Sequence, residues 1–306
     1  MVGPNLKPDI LRFFICVLRG SSQVFLSSNR WTGFFFLVAV LIGAAESANA
    51  SIALGAITGL IISTLTAIMF SYDRHSVEQG LWGYNAFLIG IAIPTFFEPT
   101  ASMWILLAAL TFLSVPTTKF LSARLKKHDI PVLTLPFVLL TWLAFALSDI
   151  FLLNSAQPSP TPLIEFGSAD GFLKGFSQIF LINSLLSGFL IFIALFFTSK
   201  RFVIWSGIGG IISFIVAIVF SFPKAQVING LWGYNPILTS VALGAALTMK
   251  KHQKLFAILG IAFAMIIQII LAWALRGTGL PILTVPFVLA TWVCLAVDSR
   301  RICGKI

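Results

Sequence analysis

The stretch that decides the fold is Leu81-Trp-Gly-Tyr-Asn85 followed by Ile130-Pro-Val-Leu-Thr-Leu-Pro-Phe-Val-Leu-Leu-Thr-Trp142, because the chain repeats both parts farther on. The second occurrences, Leu231-Trp-Gly-Tyr-Asn235 and Leu280-Pro-Ile-Leu-Thr-Val-Pro-Phe-Val-Leu-Ala-Thr-Trp292, lie 150 residues later. A third pair, Gln23-Val-Phe-Leu26 and Gln178-Ile-Phe-Leu181, is offset by 155 residues, which one five-residue deletion explains. Three motifs in one order define a duplicated unit too long for a solenoid repeat. In a membrane protein, two such halves are expected to enclose one path.

The composition is that of a membrane protein. Hydrophobic residues make up 58% of the chain and charged residues 10%, against about 25% charged in soluble proteins. Charge-free runs that reach the length of a spanning helix, about 18 residues, cover 47–72, 79–97, 99–118, 130–148, 175–199, 202–223, 225–249, 255–275 and 277–297. A β-barrel would show short alternating segments instead. The fold class predicted is an all-α polytopic membrane protein.

The net charge of +10 does not indicate nucleic-acid binding, because the basic residues cluster in loops and at the termini. This distribution is typical of the positive-inside rule and of contact with anionic membrane lipids. Both termini are basic, so we expect both in the cytoplasm and the chain in the cytoplasmic (inner) membrane. Basic clusters occur in both halves, and charge alone leaves open whether the second half is inverted.

The chain divides into two halves joined by a linker. We expect a cytoplasmic N-terminal tail at 1–8, a first half at 9–153, a linker at 154–170, a second half at 171–297 and a basic C-terminal tail at 298–306. The linker contains Gln157-Pro-Ser-Pro-Thr-Pro162, which is rich in turn-forming residues.

Each half carries helix-breaking residues at membrane depth. Gly80 and Gly83 permit a break or close packing, and Asn85 tolerates left-handed backbone. The motif at 130–142 contains two prolines, each of which removes a helical N–H donor. One of them is Pro136, whose counterpart in the second half is Pro286. Broken backbone at this depth is tolerated only against protein or a water-filled path. Each half is therefore predicted to contribute an interrupted segment to a central route.

The charges of the chain limit what could pass. Glu46, Glu98, Asp149 and Asp298 stand at the ends of apolar runs, where exposure to headgroups is expected. The polar residues left at membrane depth are neutral: Gln23, Gln178, Asn85, Asn235, Thr134 and Thr284, accompanied by Phe25, Phe137, Phe180 and Phe287. Neutral donors and acceptors between flat apolar walls suit a small, uncharged, hydrogen-bonding solute. An ion would lose far more hydration free energy there.

Several functions remain open from the residues alone. The solute could be an amide, ammonia or water, and an ion-coupled transporter is a further alternative, although no buried carboxylate cluster suggests a coupling site. No paired nucleophile or set of metal ligands at membrane depth suggests an enzyme. Cys16, Cys294 and Cys303 are scattered without metal-ligand spacing, and no cofactor is expected.

At these motifs the chain resembles the urea transporter family, from Gln23 to Trp292. The most specific strings are Ile62-Ser-Thr-Leu-Thr-Ala-Ile-Met-Phe-Ser-Tyr-Asp-Arg74 and Gly80-Leu-Trp-Gly-Tyr-Asn-Ala-Phe-Leu-Ile-Gly90. Leu133-Thr-Leu-Pro-Phe137 and Leu283-Thr-Val-Pro-Phe287 follow closely. The resemblance implies two inverted halves, each with five spanning helices and one re-entrant helix, in a homotrimer with one pore per subunit. It also implies passive, channel-like passage of urea.

The resemblance also assigns residues to the pore. Gln23 and Gln178 would lie near the two mouths, Thr134 and Thr284 would flank the middle, and Leu88 and Leu238 would form the constriction. Tyr84, Asn85, Tyr234, Asn235, Pro136 and Pro286 would support the broken backbone. From the residues alone, the glutamines could instead satisfy helix backbone, and the threonines could bond back to their own helices.

The chain departs from the family at one position. The family often has phenylalanine three residues after the first glutamine, where this chain has Leu26, with Leu181 as its counterpart in the second half. Phe25 and Phe180 stand one residue earlier. The departure leaves two expectations open: a looser selectivity toward other small amides, or a neighbouring phenylalanine in the same role.

Overall fold

A computed structural model describes residues 6–156, 169–249 and 252–303, and helices dominate the described chain. The first half forms helices α1 (Leu6–Ser22), α2 (Arg30–Glu46), α3 (Ala50–Met69), α4 (Arg74–Glu78), α5 (Tyr84–Phe96), α6 (Ala101–Leu125) and α7 (Leu135–Ala146). Short 3₁₀ turns at Gln23–Phe25 and Lys126–His128 follow α1 and α6. An isolated antiparallel bridge joins Phe97 to Ser155.

The second half repeats this order of helices. It forms α8 (Asp170–Ser177), α9 (Leu185–Ala194), α10 (Lys200–Val219), α11 (Lys224–Ile228), α12 (Tyr234–Val241), α13 (Gln253–Ala274) and α14 (Val285–Cys303). The 3₁₀ turn Gln178–Phe180 follows α8, as Gln23–Phe25 follows α1. One difference is a π-helical turn, Ala242–Ala246, which continues α12 where the first half keeps α5 regular. The duplication read from the motifs therefore extends to the helices between them.

The lengths and composition of the helices fit an integral membrane protein. Within the described residues, α3, α10, α13 and the 28-residue stretch that begins with α6 are long and apolar enough to cross a bilayer. The pair α1 and α2, bent by 81°, and the pair α8 and α9, bent by 77°, raise the number to six if each counts as one span. The helices α5, α7 and the apolar part of α14 are shorter.

Some charge-free runs are not single helices. The run 225–249 contains α11, a turn, α12 and the π-helical turn, while 79–97 contains only the 13 residues of α5. The interruptions follow Gly80 and Gly230, whose φ values of +74° and +70° lie in the left-handed region. Glycine adopts this region without the steric cost that a side chain brings. Hydrophobic length therefore overstates the length of these helices.

The prolines of the duplicated motif begin helices rather than interrupt them. Pro136 and Pro286 lie in the first turns of α7 and α14, where the missing N–H has no intrahelical partner to lose. The chain reaches these helices through Leu133 and Leu283, which both have left-handed backbone, with φ of 50° and 51°. The expected break is thus a helix that starts inside the protein, preceded by a non-helical segment that ends in a turn.

The two halves meet along α2 and α9, which run in opposite directions. The hydroxyl of Thr32 donates to Ala194 O (3.1 Å), and the hydroxyl of Ser187 donates to Ala39 O (2.8 Å). Thr32 is the counterpart of Ser187, and Ala39 is the counterpart of Ala194, each offset by 155 residues. The contacts are therefore reciprocal, as at an interface with a local twofold axis.

Close packing inside the first half depends on small residues. A Cβ on Gly55 of α3 would collide with the carbonyl of Gly90 in α5, and a Cβ on Gly90 would collide with the carbonyl of Gly55. The two helices approach backbone to backbone, which is the way small residues promote helix association in membranes. This contact holds α5, the helix that carries Tyr84, Asn85 and Leu88, against a long apolar helix.

Helices extend into both of the expected terminal tails. Helix α1 begins at Leu6, inside the expected tail 1–8, and the backbone of α14 continues through Cys303, inside the expected tail 298–306. Most of the predicted linker, 157–168, lies outside the described residues. Asp149 is exposed as expected, but Asp298 is only 6% exposed, so the prediction that it lies among headgroups is wrong. Its place on a continuing helix packed against the protein explains the burial.

Candidate functional site

The centre of the candidate site is a pair of threonines from the two halves. Thr134 and Thr284 precede α7 and α14, and their Oγ1 atoms lie 2.6 Å apart in a hydrogen bond. The two residues are 1% and 3% exposed. The structure therefore brings together two hydroxyls that are 150 residues apart in the chain. Each hydroxyl donates or accepts, so the pair can exchange its mutual bond for bonds to a solute.

Tryptophans at the end of the duplicated motif fix this meeting of the halves. Trp142 Nε1 donates to Pro281 O (2.9 Å), and Trp292 Nε1 donates to Pro131 O (2.8 Å). The two bonds connect equivalent atoms in opposite directions. Each also satisfies a carbonyl in the non-helical segment before α7 or α14, so the tryptophans fix both the backbone and the contact between halves.

In the first half, Tyr84 bonds to the segment before α7 and Asn85 bonds to the first turn of α7. The hydroxyl of Tyr84 donates to Leu133 O (2.7 Å), and Asn85 Oδ1 accepts from the N–H of Phe137 (3.1 Å). Asn85 Nδ2 donates to Thr118 Oγ1 (3.3 Å). The asparagine thus satisfies a donor of the first turn of α7 from a neighbouring helix, which is the task that a cap residue performs within one helix.

The second half repeats this arrangement with two changes: Gln268 stands in place of Thr118, and Asn235 rather than a tyrosine bonds to the carbonyl before the helix. Asn235 Oδ1 accepts from Phe287 N (3.3 Å), while Nδ2 donates to Leu283 O (3.2 Å) and to Gln268 Oε1 (3.0 Å). Tyr234 is 9% exposed at the start of α12. Gln268 occupies the position equivalent to Thr118, and its Nε2 donates to Leu231 O (2.6 Å).

Thr118 and Gln268, the partners of the two asparagines, were not predicted from the sequence. Both are buried, at 4% exposure each, and both lie in apolar runs. The available signal was positional: each is a polar residue inside an apolar run, 150 residues from the other. They differ in residue type, so the two positions do not stand out as a repeated motif.

Gln23 and Gln178 lie in the 3₁₀ turns at the bends, between α1 and α2 and between α8 and α9. Gln23 Nε2 donates to Gln79 O (2.8 Å), and Gln178 Nε2 donates to Asn229 O (3.0 Å). Each amide therefore bonds to the backbone that leads into α5 or α12. The side-chain carbonyls remain as acceptors near these turns.

Leu26 and Leu181 end the same turns with left-handed backbone, at φ of 58° and 54°. Leu181 lines a cavity of about 350 Å³ together with Gln178, Tyr234 and Leu283. Leu26 lines a different cleft, with Arg19 and Arg30. The equivalent leucines therefore have different surroundings.

An aromatic cluster lies between the glutamine turns. Ring centroids are 5.3 Å apart for Phe25 and Phe36, 5.3 Å for Phe36 and Phe180, and 5.4 Å for Phe87 and Phe180. All four rings are at most 1% exposed. Phe36 of α2 and Phe87 of α5 were not predicted, because neither belongs to the repeated four-residue motif at Gln23 and Gln178.

Leu88 and Leu238 lie at the start of the second turns of α5 and α12 and are 1% and 2% exposed. Both belong to the main hydrophobic core, which also contains Leu133, Phe137 and Phe287. The predicted constriction residues are thus packed beside the threonine pair's own segments.

Charged side chains lie beside the bends of the helix pairs rather than at the threonines. Arg19 Nη1 donates to Glu78 O (2.7 Å), one residue before the carbonyl that Gln23 contacts. Its counterpart Lys174 is fully buried, and Asp170, one helical turn away, is 3% exposed. These buried charges in α8 were not anticipated, because both residues precede the apolar run that begins at Gly175.

Comparisons with known proteins identify the family of the chain. The sequence model of the family described as Urea transporter matches residues 14–299. Urea transporter 1 of Ovis aries is 32% identical over 314 aligned positions, which cover 96% of this chain and 79% of the relative. Urea transporter 1 of Mus musculus is also 32% identical, and that of Rattus norvegicus is 30% identical, with the same coverage.

Proposed function

Because the chain belongs to the urea transporter family, we propose that it conducts urea passively across a membrane, through one pore formed between its two halves. The observation that carries the proposal is the buried contact between the Thr134 and Thr284 hydroxyls. It supplies neutral hydrogen-bonding groups at the junction of the halves. The family is one of channels and transporters rather than enzymes.

The chemistry of urea fits these groups. Urea is planar and uncharged, with N–H donors along its edges and one carbonyl acceptor. Hydroxyls at the threonine pair and side-chain carbonyls of Gln23 and Gln178 accept from the N–H groups. The flat rings of Phe25 and Phe180 offer apolar walls. A neutral molecule that loses water there at a cost of a few kcal/mol regains hydrogen bonds from these groups.

The pore residues are proposed to act in an order along the path. Gln23 and Gln178 receive urea near the mouths, Leu88 and Leu238 narrow the passage, and the threonine pair bonds to it in the middle. The pore-supporting residues Tyr84, Asn85, Tyr234, Asn235, Pro136 and Pro286 hold the backbone that presents these groups. Their hydrogen bonds to the segments before and within α7 and α14 support this role.

The transport assay separates this function from the alternatives. Purified protein in proteoliposomes should carry urea down its gradient, with the rate measured by light scattering after a urea step. Water and ammonia fluxes measured in the same vesicles should rise far less over empty liposomes. Equal rates for all three solutes would favour a nonselective pore for small neutral molecules.

We propose that the second half is inverted relative to the first. The antiparallel reciprocal contacts of α2 and α9 support inversion, because equivalent helices of a parallel repeat keep one direction. The charges give further support. Arg124, Lys126 and Lys127 lie at the C-terminal end of α6, whereas Lys200 and Arg201 lie at the N-terminal end of α10.

These basic clusters occupy opposite ends of the repeated unit. The counterparts of Lys200 and Arg201 in the first half are Ala50 and Ser51, which are neutral. Opposite ends of inverted units face the same side of the membrane. Inversion therefore gathers both basic clusters on one face, as the positive-inside rule requires of the cytoplasmic side. This proposal keeps both termini in the cytoplasm and the chain in the inner membrane.

The finer assembly is proposed from the family. Each half has five spanning helices and one re-entrant helix, and three chains form a homotrimer within the lipid bilayer, each with its own pore. The threonine pair is supplied by a single chain, which supports one pore per subunit.

A further inference from the structure

We propose that a cleft between α10 and α13 binds one anionic phospholipid, with its phosphate on the rim and its acyl chains along α10. The cleft has a volume of about 770 Å³ and is lined by Arg201, Trp205, Ile208, Gly244, His252 and Lys254, among others. This volume is in the usual range for a small-molecule site. The cleft is separate from the threonine pair and from the glutamine turns.

The rim of the cleft is cationic. Arg201 and Lys254 supply the charge and both are exposed, as is His252. No acidic side chain is among the described residues that line the cleft. Arg201 Nη2 donates to Gly244 O (2.9 Å), which fixes the guanidinium at the rim. A guanidinium has five N–H donors in a planar fork, so most of its donors are left to meet the oxygens of a phosphodiester.

Two helix N-termini add positive potential at the same place. Helix α10 begins at Lys200 and α13 begins at Gln253, so the rim residues lie in or next to the first turns of both. The N-terminus of a helix carries partial positive charge on its free N–H groups. Together with the side-chain cations, these ends favour a ligand of negative charge.

The floor of the cleft is apolar and continues into the membrane. Ile204 is 57% exposed, and farther along α10 Ile211 and Ile215 are 50% and 52% exposed at helical spacing. The ring of Trp205 packs directly against the backbone of Gly244, where a Cβ would collide with it. A soluble anion gains nothing from an apolar floor, whereas acyl chains do. The pattern of charge above an apolar groove therefore indicates a lipid.

The fold itself does not require these cations. In the first half, the positions equivalent to Arg201, His252 and Lys254 are Ser51, Ser102 and Trp104. The same helices pack there without a basic side chain. The second half also differs by the π-helical turn, whose freed carbonyls accept from Gln253 Nε2 at Leu243 O (3.0 Å) and Leu247 O (2.8 Å). The cationic rim is thus specific to one half.

The test is lipid binding to the full chain in detergent, measured by native mass spectrometry during titration with phosphatidylglycerol or phosphatidylcholine. We expect wild type to prefer phosphatidylglycerol. Lys254→Glu should weaken that binding by about 25-fold, since each basic charge near a headgroup is worth about fivefold. Lys254 is exposed, so its replacement leaves the buried packing intact. Arg201→Gln should also weaken binding, by about fivefold or more.

The control is Lys224→Glu, which makes the same charge change on an exposed lysine outside the cleft. Equal losses in Lys224→Glu and Lys254→Glu would overturn the proposal, because they would show attraction by net charge alone. Displacement of the lipid by millimolar inorganic phosphate would overturn it in favour of a free-anion site. Ile208→Ser, which makes the floor of the cleft polar, should weaken lipid binding. An unchanged lipid affinity would count against the acyl groove.

Discussion

Replacement of Thr134 or Thr284 by valine tests whether the threonine pair belongs to the pore. Valine keeps the branched shape and removes the hydroxyl. The pair is buried and its oxygens are 2.6 Å apart, so urea passing this level must exchange the hydroxyl–hydroxyl bond for bonds of its own. With one hydroxyl missing, urea lacks one partner where water does not substitute, at a cost of about 1–3 kcal/mol.

If the lost hydrogen bond raises the free-energy barrier to urea passage, the rate of urea flux falls accordingly. Since 1.4 kcal/mol corresponds to about tenfold, the urea flux of either single variant should fall roughly 5- to 150-fold. The assay is urea efflux from proteoliposomes, normalised to the protein incorporated. Thr134→Ser and Thr284→Ser keep the hydroxyl and serve as matched controls, with flux close to wild type. Thr117→Val, near the basic end of α6, should also have little effect.

Stability distinguishes a pore role from a folding role. A single valine leaves the remaining hydroxyl buried without its partner, so we expect each single variant to lose about 1–3 kcal/mol of unfolding free energy. The double variant removes both polar groups and should recover much of that loss, while its flux falls further. If both single variants are folded and conduct urea as wild type does, the threonines are structural and their assignment to the pore is wrong.

Three further predictions concern the support of the pore, its energetics and its topology. Asn85→Ala removes the acceptor for Phe137 N and should lower the unfolding free energy by about 1–3 kcal/mol, measured by thermal or denaturant unfolding. The control Asn154→Ala, at an exposed asparagine, should have little effect. Urea flux should not respond to imposed proton or sodium gradients, because the hydrogen-bonding groups proposed for the path are neutral; accumulation of urea driven by either gradient would refute passive transport. Single cysteines introduced at Ser71 and at its counterpart Ser221, both exposed after α3 and α10, should react with an impermeant maleimide from opposite sides of the membrane, and labelling from one side would rule out inversion.

Apolar runs and repeated motifs in the sequence were sufficient to predict several features. Hydrophobic length and the scarcity of charge indicated an all-helical membrane protein, because a bilayer requires about 18 apolar residues for each span. The duplicated motifs indicated two halves, and their resemblance to the urea transporter family indicated urea as the solute. The family match bears out the family and the solute that it implies. The pairing of Thr134 with Thr284 follows from their equivalent places in the repeat, and the structure places their oxygens in contact.

Other features depended on contacts between distant parts of the chain. Helix ends inside charge-free runs are set by left-handed residues such as Leu133, which composition does not reveal. The burial of Asp298 depends on what packs against α14. The direction of α2 relative to α9 appears only in the reciprocal bonds of Thr32 and Ser187.

The sequence by itself determined that this chain is helical, duplicated and suited to a membrane, because the length of apolar runs and the repetition of motifs are read directly from the order of residues. Only the tertiary structure decided which polar groups meet. Thr118 and Gln268 bond to the equivalent asparagines, and Phe36 and Phe87 join the aromatic cluster, although no repeated motif marks them. Hydrogen bonds and ring contacts act over a few ångströms in space, and the chain separations that they bridge leave no local pattern.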